Sequence, residues 1–112
     1  MASVQKQQPF STPRAFPRFL LDIRIVIRGQ ETLYGRTKDL GEGGLGATIP
    51  NEVPSGAIVE LEFQLPGSAE PLRLKGELRY RQGFQYGFRF LHPTPEQRTL
   101  IRNATRGLPL AP

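Results

Sequence analysis

The chain has 112 residues and no cysteine, so we expect one domain with an ordinary hydrophobic core, and disulfide frameworks and thiolate metal sites are excluded. Fifteen basic residues against ten acidic ones give a net charge of +5, and twelve of the fifteen are arginines, whose guanidinium groups bind phosphates and guanine edges well. A solvated basic surface would explain the charge equally simply. Charged residues interrupt every apolar stretch, so we expect a cytoplasmic protein without membrane insertion.

The first 13 residues are polar and contain prolines without any periodicity, which predicts a flexible N-terminal arm. We expect a single domain over residues 14–108, with a tail over 109–112. Within the domain, apolar and polar residues alternate with the period of two that is typical of half-buried strands, and tight turns separate the runs. The strands are predicted near residues 21–28, 31–38, 45–49, 58–65, 72–81 and 84–90.

Six short strands at even spacing predict an all-β fold, and the spacing alone fits either a closed antiparallel barrel over about 19–91 or a small sandwich. A helix is predicted over about 95–106, because Thr94, Pro95 and Gln97 form the N-cap, first turn and third position of a capping box. On the last two strands, the residues expected to face the core are Leu72, Leu74, Leu78 and Tyr80, and then Phe84, Tyr86, Phe88 and Phe90.

The sequence gives little support to catalysis. The single histidine, His92, follows the last predicted strand, where a structural role is the usual one, and no second histidine, cysteine or carboxylate cluster accompanies it. The glycine-rich stretch over residues 39–46 matches no phosphate-binding fingerprint, and no helical pattern follows it. We therefore expect a binding protein without a metal or cofactor rather than an enzyme.

Two short motifs, one rich in arginine and one rich in glycine, occur about 20 residues apart. Arg14 and Arg18 form an R-x-x-x-R segment before the first strand, and Asp39, Gly41 and Gly44 form a D-x-G-x-x-G segment about 20 residues later. Together with the strand rhythm, the closing segment YGFRFLHP and the C-terminal helix, they resemble the PilZ domain, a bacterial receptor family for cyclic di-GMP with the motifs RxxxR and [D/N]xSxxG. The resemblance implies a six-stranded antiparallel PilZ-like β-barrel with one C-terminal α-helix.

The resemblance also implies a ligand site for cyclic di-GMP. Arg14 and Arg18 stand at the arginines that clamp guanines and phosphates, and Asp39 stands at the acid that accepts from the guanine edge or orients an arginine. Gly44 stands at the final glycine, where bare backbone permits close approach. Further expected contributors are Gly43, which assists the turn, and Arg79 or Arg81, which add phosphate contacts.

Gly41 departs from the pattern, because it replaces the motif's serine and removes a hydroxyl that binds the ligand in the family. The loss of one neutral hydrogen bond weakens binding by ~1 kcal/mol. Two hypotheses follow. In the first, the chain is a cyclic di-GMP receptor or adaptor with a protein partner of unknown identity, and its N-terminal arm closes on Asp39 when the ligand binds. In the second, it is a PilZ-like protein-interaction adaptor that no longer binds cyclic di-GMP. A nucleic-acid-binding barrel is a third class, which we do not expect.

Overall fold

The computed structural model describes residues 16–112. Apolar residues alternate along the strands at residues 24–28, 58–63, 72–78 and 85–90, and glycine- or proline-containing turns separate most of the strands. The elements in chain order are β1 (Phe19–Leu20), β2 (Arg24–Arg28), β3 (Thr32–Leu40), β4 (Gly44–Thr48), β5 (Ile58–Phe63), β6 (Leu72–Gln82), β7 (Gln85–Phe90) and the helix α1 (Pro95–Thr105).

The strands form one antiparallel sheet in the order β1-β3-β2-β5-β6-β7-β4, and pairing of β4 with β3 closes it. Strands β2 to β7 are therefore a closed six-stranded barrel, and β1 is an extra strand beside β3. The predicted all-β fold is confirmed as a barrel rather than a sandwich, with a single C-terminal helix in the part of the chain that the structure describes. The capping box at Thr94 and Gln97 is also present.

The barrel interior holds the core, which includes alternate residues of every long strand. Leu72, Leu74 and Leu78 are buried as expected, and so are Tyr86, Phe88 and Phe90. Two of the expected core residues are not buried: Tyr80 is 49% exposed and Phe84 is 55% exposed. Phe84 lies in the turn before β7 rather than on the strand, so the alternation of that strand does not reach it.

Two β-bulges change which face of the barrel a residue occupies. On β3, Thr37 pairs with Ala47 and Asp39 pairs with Gly46, so that Lys38 is an extra residue. On β6, Leu78 pairs with Phe88 and Tyr80 with Gly87, so that Arg79 is extra. An extra residue reverses the alternation beyond it. The bulges therefore turn Asp39 and Tyr80 to the outer face, which explains why the prediction that Tyr80 faces the core is wrong.

The two ends of the described chain meet beside β1. The backbone N–H of Leu20 donates to the carbonyl of Pro109 over 2.8 Å, and the N–H of Ala111 donates to the carbonyl of Arg18 over 2.9 Å. Phe19 also forms an isolated antiparallel bridge with Leu110. The segment that leads into β1 is thus held by the C-terminal tail on one side and by β3 on the other.

Candidate functional site

The centre of the candidate site is an ion pair between Arg18 and Asp39. The Arg18 Nη1 atom donates to Asp39 Oδ1 over 3.0 Å, although the two residues are 21 positions apart in the sequence. Both side chains are largely buried, with 12% and 11% of their surfaces exposed. A charged pair at this depth is only weakly screened by water. The structure therefore brings together one residue from each of the two motifs.

The Asp39 carboxylate is also held from the barrel side. The backbone N–H of Gly46 donates to the same Oδ1 atom over 3.0 Å. No hydrogen-bond donor to Oδ2 is found among residues 16–112. A carboxylate has about four lone-pair sites, so Asp39 retains the capacity to accept from a further donor.

Steric clearance explains two glycines of the turn that connects β3 to β4. A Cβ atom built on Gly41 would lie 2.2 Å from the Pro17 carbonyl oxygen, and one on Gly44 would lie 2.2 Å from the Phe88 carbonyl oxygen. Neither residue has a positive φ, since the glycines with positive φ in the described chain are Gly56, Gly67, Gly83 and Gly107. Gly41 and Gly44 are therefore required for close backbone packing and not for backbone freedom.

The rest of the turn contacts the N-terminal segment and the helix. A Cβ on Gly43 would lie 3.2 Å from the Phe16 ring, and the guanidinium of Arg98 lies 4.7 Å from the centroid of that ring. The Glu42 carboxylate accepts from Arg102 Nε over 2.9 Å and from Arg98 Nε over 3.4 Å. The hydrogen bond from Arg102 is the main cause that lowers the pKa of Glu42. The turn, the Phe16 segment and α1 are thus one contact cluster.

A row of four residues crosses the outer face at the level of Asp39. Strand pairing places Asp39 beside Gly46, Gly46 beside Gly87, and Gly87 beside Tyr80. The Tyr80 ring covers Gly87, because a Cβ there would lie 2.0 Å from the ring. Adjacent strands are about 4.8 Å apart, so an aromatic ring, bare backbone and a carboxylate lie within a few strand widths. Sequence reasoning missed Tyr80, because alternation without the bulge assigns it to the core.

The remaining predicted residues are distributed differently. Arg14 lies outside the described residues, as does the arm over 1–13. Arg79 is the exposed extra residue of the β6 bulge. Arg81 donates to the Gly83 carbonyl over 2.7 Å and lies 3.3 Å from the Glu52 carboxylate, so its guanidinium is held at the end of the β6–β7 hairpin. None of the contacts that Arg81 forms within residues 16–112 reaches the Arg18–Asp39 pair.

Residues 16–112 contain neither a metal-binding cluster nor a membrane-spanning helix. Within residues 16–112, no group of three or more histidine, cysteine or acidic side chains is arranged to hold a metal ion. The only helix in this part of the chain, α1, falls short of the length and apolarity that a membrane span requires. The polar groups at the site are an arginine, a carboxylate and backbone amides, which bind anions and nucleobase edges.

The sequence profile of the PilZ domain matches residues 12–107. None of the curated protein sequences matches the chain. Solved structures give the same fold at low identity. The PilZ domain of CeSA from a cellulose-synthesizing bacterium has 20% identity and a TM-score of 0.63, with 80% of this chain and 95% of that chain covered.

Two further structures are similar in fold. The PilZ domain of YcgR from Escherichia coli, solved with c-di-GMP, has 19% identity and a TM-score of 0.70, with 87% of this chain and 92% of that chain covered. The Bacillus subtilis inhibitor of motility MotI/DgrA has 10% identity and a TM-score of 0.71, with 84% of this chain but only 49% of that chain covered.

We expect Gly41→Ser to destabilise the chain and to displace the Pro17–Arg18 segment. The new Cβ would meet a backbone carbonyl at 2.2 Å, which no side-chain rotation relieves. Overpacking of this kind costs about 1–3 kcal/mol. Gly43→Ser is the matched control, because its Cβ would meet only the Phe16 side chain, at 3.2 Å. Urea unfolding and amide exchange at Arg18 are the measurements. Equal stability and exchange in the two variants would contradict the steric explanation.

We expect Glu42→Gln to lower the free energy of unfolding by ~1 kcal/mol at pH 7, as for other networked surface ion pairs. The folded state lowers the pKa of Glu42, so its contribution is present above the ordinary glutamate pKa, about 4.3, and is lost as pH falls through the lowered value. The difference between variant and parent should therefore vanish in acid. Glu31→Gln is the control, because Glu31 is exposed and forms no ion pair within the described range. Urea unfolding at pH 7 and pH 3 tests this, and a difference independent of pH would refute it.

Proposed function

The chain belongs to the PilZ domain family, and on this premise we propose that it is a receptor or adaptor module that binds cyclic di-GMP in bacterial second-messenger signalling. The ligand would be clamped between the R-x-x-x-R segment and the D-x-G-x-x-G turn. The solved PilZ domain of YcgR with c-di-GMP, which has the same fold, supports the proposal.

The observation that carries the proposal is the contact between Arg18 and Asp39. The two motifs are far apart in the sequence, yet these side chains meet over 3.0 Å on the outer face of the barrel. The pair juxtaposes a fork of N–H donors with a carboxylate acceptor. Cyclic di-GMP offers the complementary groups, because its phosphates are anionic acceptors and its guanine edges contain N–H donors.

Each residue then has a distinct task. Arg18, with Arg14, would bind phosphate or guanine oxygens, and Asp39 would accept from a guanine edge through Oδ2, to which no residue within 16–112 donates. Because Gly41, Gly43 and Gly44 have no side chains, the N-terminal segment and the ligand could approach the backbone of the turn closely. The Tyr80 ring, next to Gly87 on the same row, would stack on a base.

The glycine at position 41, where the family motif has a serine, also affects how closely the Arg18 segment packs. The Pro17 carbonyl packs where the serine side chain of the motif would project, so the lost hydroxyl is exchanged for a closer approach of the Arg18 segment. A segment that is already docked loses less conformational freedom on binding than a loose one. Preorganisation of Arg18 would therefore offset part of the missing hydrogen bond.

The same closed geometry favours one alternative, a protein-interaction adaptor that no longer binds the nucleotide. Asp39 Oδ1 already accepts from both Arg18 and Gly46, so a ligand that binds Arg18 must compete with Asp39 for its guanidinium. In that case the Arg18–Asp39 pair would be purely structural. For both candidate functions we expect a non-enzymatic module in the cytoplasm with a protein partner, which is the expectation that composition and family membership support.

We expect calorimetric titration of micromolar protein with cyclic di-GMP, up to about 100 μM, to give saturable binding. Arg18→Ala should weaken the affinity by about 30-fold or more, which is the ~2 kcal/mol that truncation of one member of a buried charged contact costs. Arg106→Ala is the matched control, because Arg106 is exposed at the C-cap of α1 and, within residues 16–112, its side chain bonds only to Asn103.

A thermal melt of each variant separates lost binding from lost folding in that titration. Arg18→Lys keeps the charge without the planar fork and should give an intermediate affinity. Absence of binding heat from the parent protein would overturn the receptor proposal and leave the adaptor alternative. Binding that Arg18→Ala leaves intact would overturn the assignment of the site.

We expect Tyr80→Ala to weaken cyclic di-GMP binding by about tenfold, because stacking of a base on an aromatic ring contributes ~1–3 kcal/mol. Tyr80→Phe should bind like the parent protein, since it keeps the ring. Phe84→Ala is the control, because Phe84 is similarly exposed at 55% but lies in the β6–β7 turn. Titration of the three variants is the measurement, and equal affinity of Tyr80→Ala and the parent protein would show that no base stacks there.

A further inference from the structure

A second surface with unusual chemistry lies on the outer side of β2 and β3. We name it the β2–β3 face and define it by Arg24, Val26, Tyr34, Arg36 and Lys38. These residues border an open groove of about 1240 Å³, which continues towards Leu20 and Pro109. The groove is open rather than an enclosed cavity, so it suits a chain segment better than a buried small ligand.

Within residues 16–112, two of the three basic side chains on this face have no carboxylate partner. Strand pairing places Arg24 directly opposite Arg36, and like charges in that position destabilise a sheet. Arg36 is offset by Asp22 at 2.6 Å, but the Asp22 side chain is 74% exposed. Arg24 contacts no carboxylate among residues 16–112, and Lys38 contacts the neutral amide of Gln85. An anionic partner would therefore relieve a repulsion that the fold maintains.

The other faces of the barrel are arranged differently. Four arginines away from this face each lie within 4.0 Å of a carboxylate: Arg28, Arg73, Arg81 and Arg89. Two further basic residues, Lys75 and Arg79 on β6, have no carboxylate within 4.0 Å among the described residues. Unmatched basic charge is thus denser on the β2–β3 face, where Arg24 and Arg36 also lie opposite each other, than on the rest of the barrel.

The same face exposes apolar surface beside the charges. Tyr34 lies opposite Val26 in the β2–β3 pairing and is 62% exposed, although it is a large aromatic residue on a barrel strand. At the far end of the groove Leu20 is 40% exposed. An exposed aromatic residue rimmed by arginines is the composition that protein interfaces favour at their centres.

We propose that the β2–β3 face is a docking site for an acidic protein segment that contributes at least one apolar or aromatic side chain. The carboxylates of the segment bind Arg24, Arg36 and Lys38, and its apolar side chain packs on Tyr34 and Val26. The proposal is independent of cyclic di-GMP binding, because none of these residues belongs to the Arg18–Asp39 site. It supplies a surface for the protein partner that the proposed function includes.

The test selects phage-displayed random peptides on the immobilised full chain. We expect enrichment of peptides with two or more acidic residues and an apolar or aromatic one. Amide shifts on titration with the synthetic winning peptide should map to Arg24, Tyr34, Arg36 and Lys38. Arg24→Glu should weaken its binding by about tenfold or more, because it replaces attraction by repulsion. Tyr34→Ala should weaken it by several-fold.

Lys75→Glu is the matched control, because it makes the same charge change on the outer face of β6 and should leave the peptide affinity within about twofold. Selection of no peptide, or of peptides without acidic residues, would overturn the proposal. Shifts confined to Arg18, Asp39 and the glycine turn would overturn it too. Binding of anionic vesicles or oligonucleotides that Arg24→Glu abolishes, without peptide selection, would assign the face to a membrane or a nucleic acid instead.

Discussion

The position of the N-terminal segment on the barrel depends on the buried Asp39 carboxylate, which requires charged or hydrogen-bonding partners. Asp39 is only 8% exposed, and a charge at that depth must be paired or hydrogen-bonded. Arg18 supplies the charge and the Gly46 amide supplies a second donor. Because Arg18 lies just before β1, the pairing also fixes the course of the segment that precedes the barrel. The candidate site thus lies where Arg18 and the Gly46 amide compensate for the desolvation of Asp39.

The two β-bulges, on β3 and β6, determine which side chains lie on the outer face at the level of Asp39. Without an extra residue on β3, Asp39 would share the buried face of Thr37, and without one on β6, Tyr80 would face the core with Leu78. Bulges are frequent beside binding sites because one inserted residue redirects a side chain without disrupting the fold. Here both reversals occur at one level of the barrel, so the Gly46–Gly87 pair separates an acid from an aromatic ring.

The sequence was informative where a local rule decides the structure. Strand alternation predicted the barrel core, and Thr94 and Gln97 predicted the helix start, because both signals depend on near neighbours. The exposure of Tyr80 and the outward position of Asp39 depend on register between distant strands, which one sequence does not reveal. The close packing at Gly41 and Gly44 was not predictable from near neighbours for a related reason: the atoms that require a glycine there belong to Pro17 and Phe88, which are remote in the chain.

The hydrogen bonds between the C-terminal tail and the Arg18 segment have a practical consequence. Ala111 and Pro109 bind the backbone at Arg18 and Leu20, so residues 109–111 lie beside the residue that pairs with Asp39. A small fluorophore attached at the exposed Pro112 would therefore lie near this pair and report on its rearrangement.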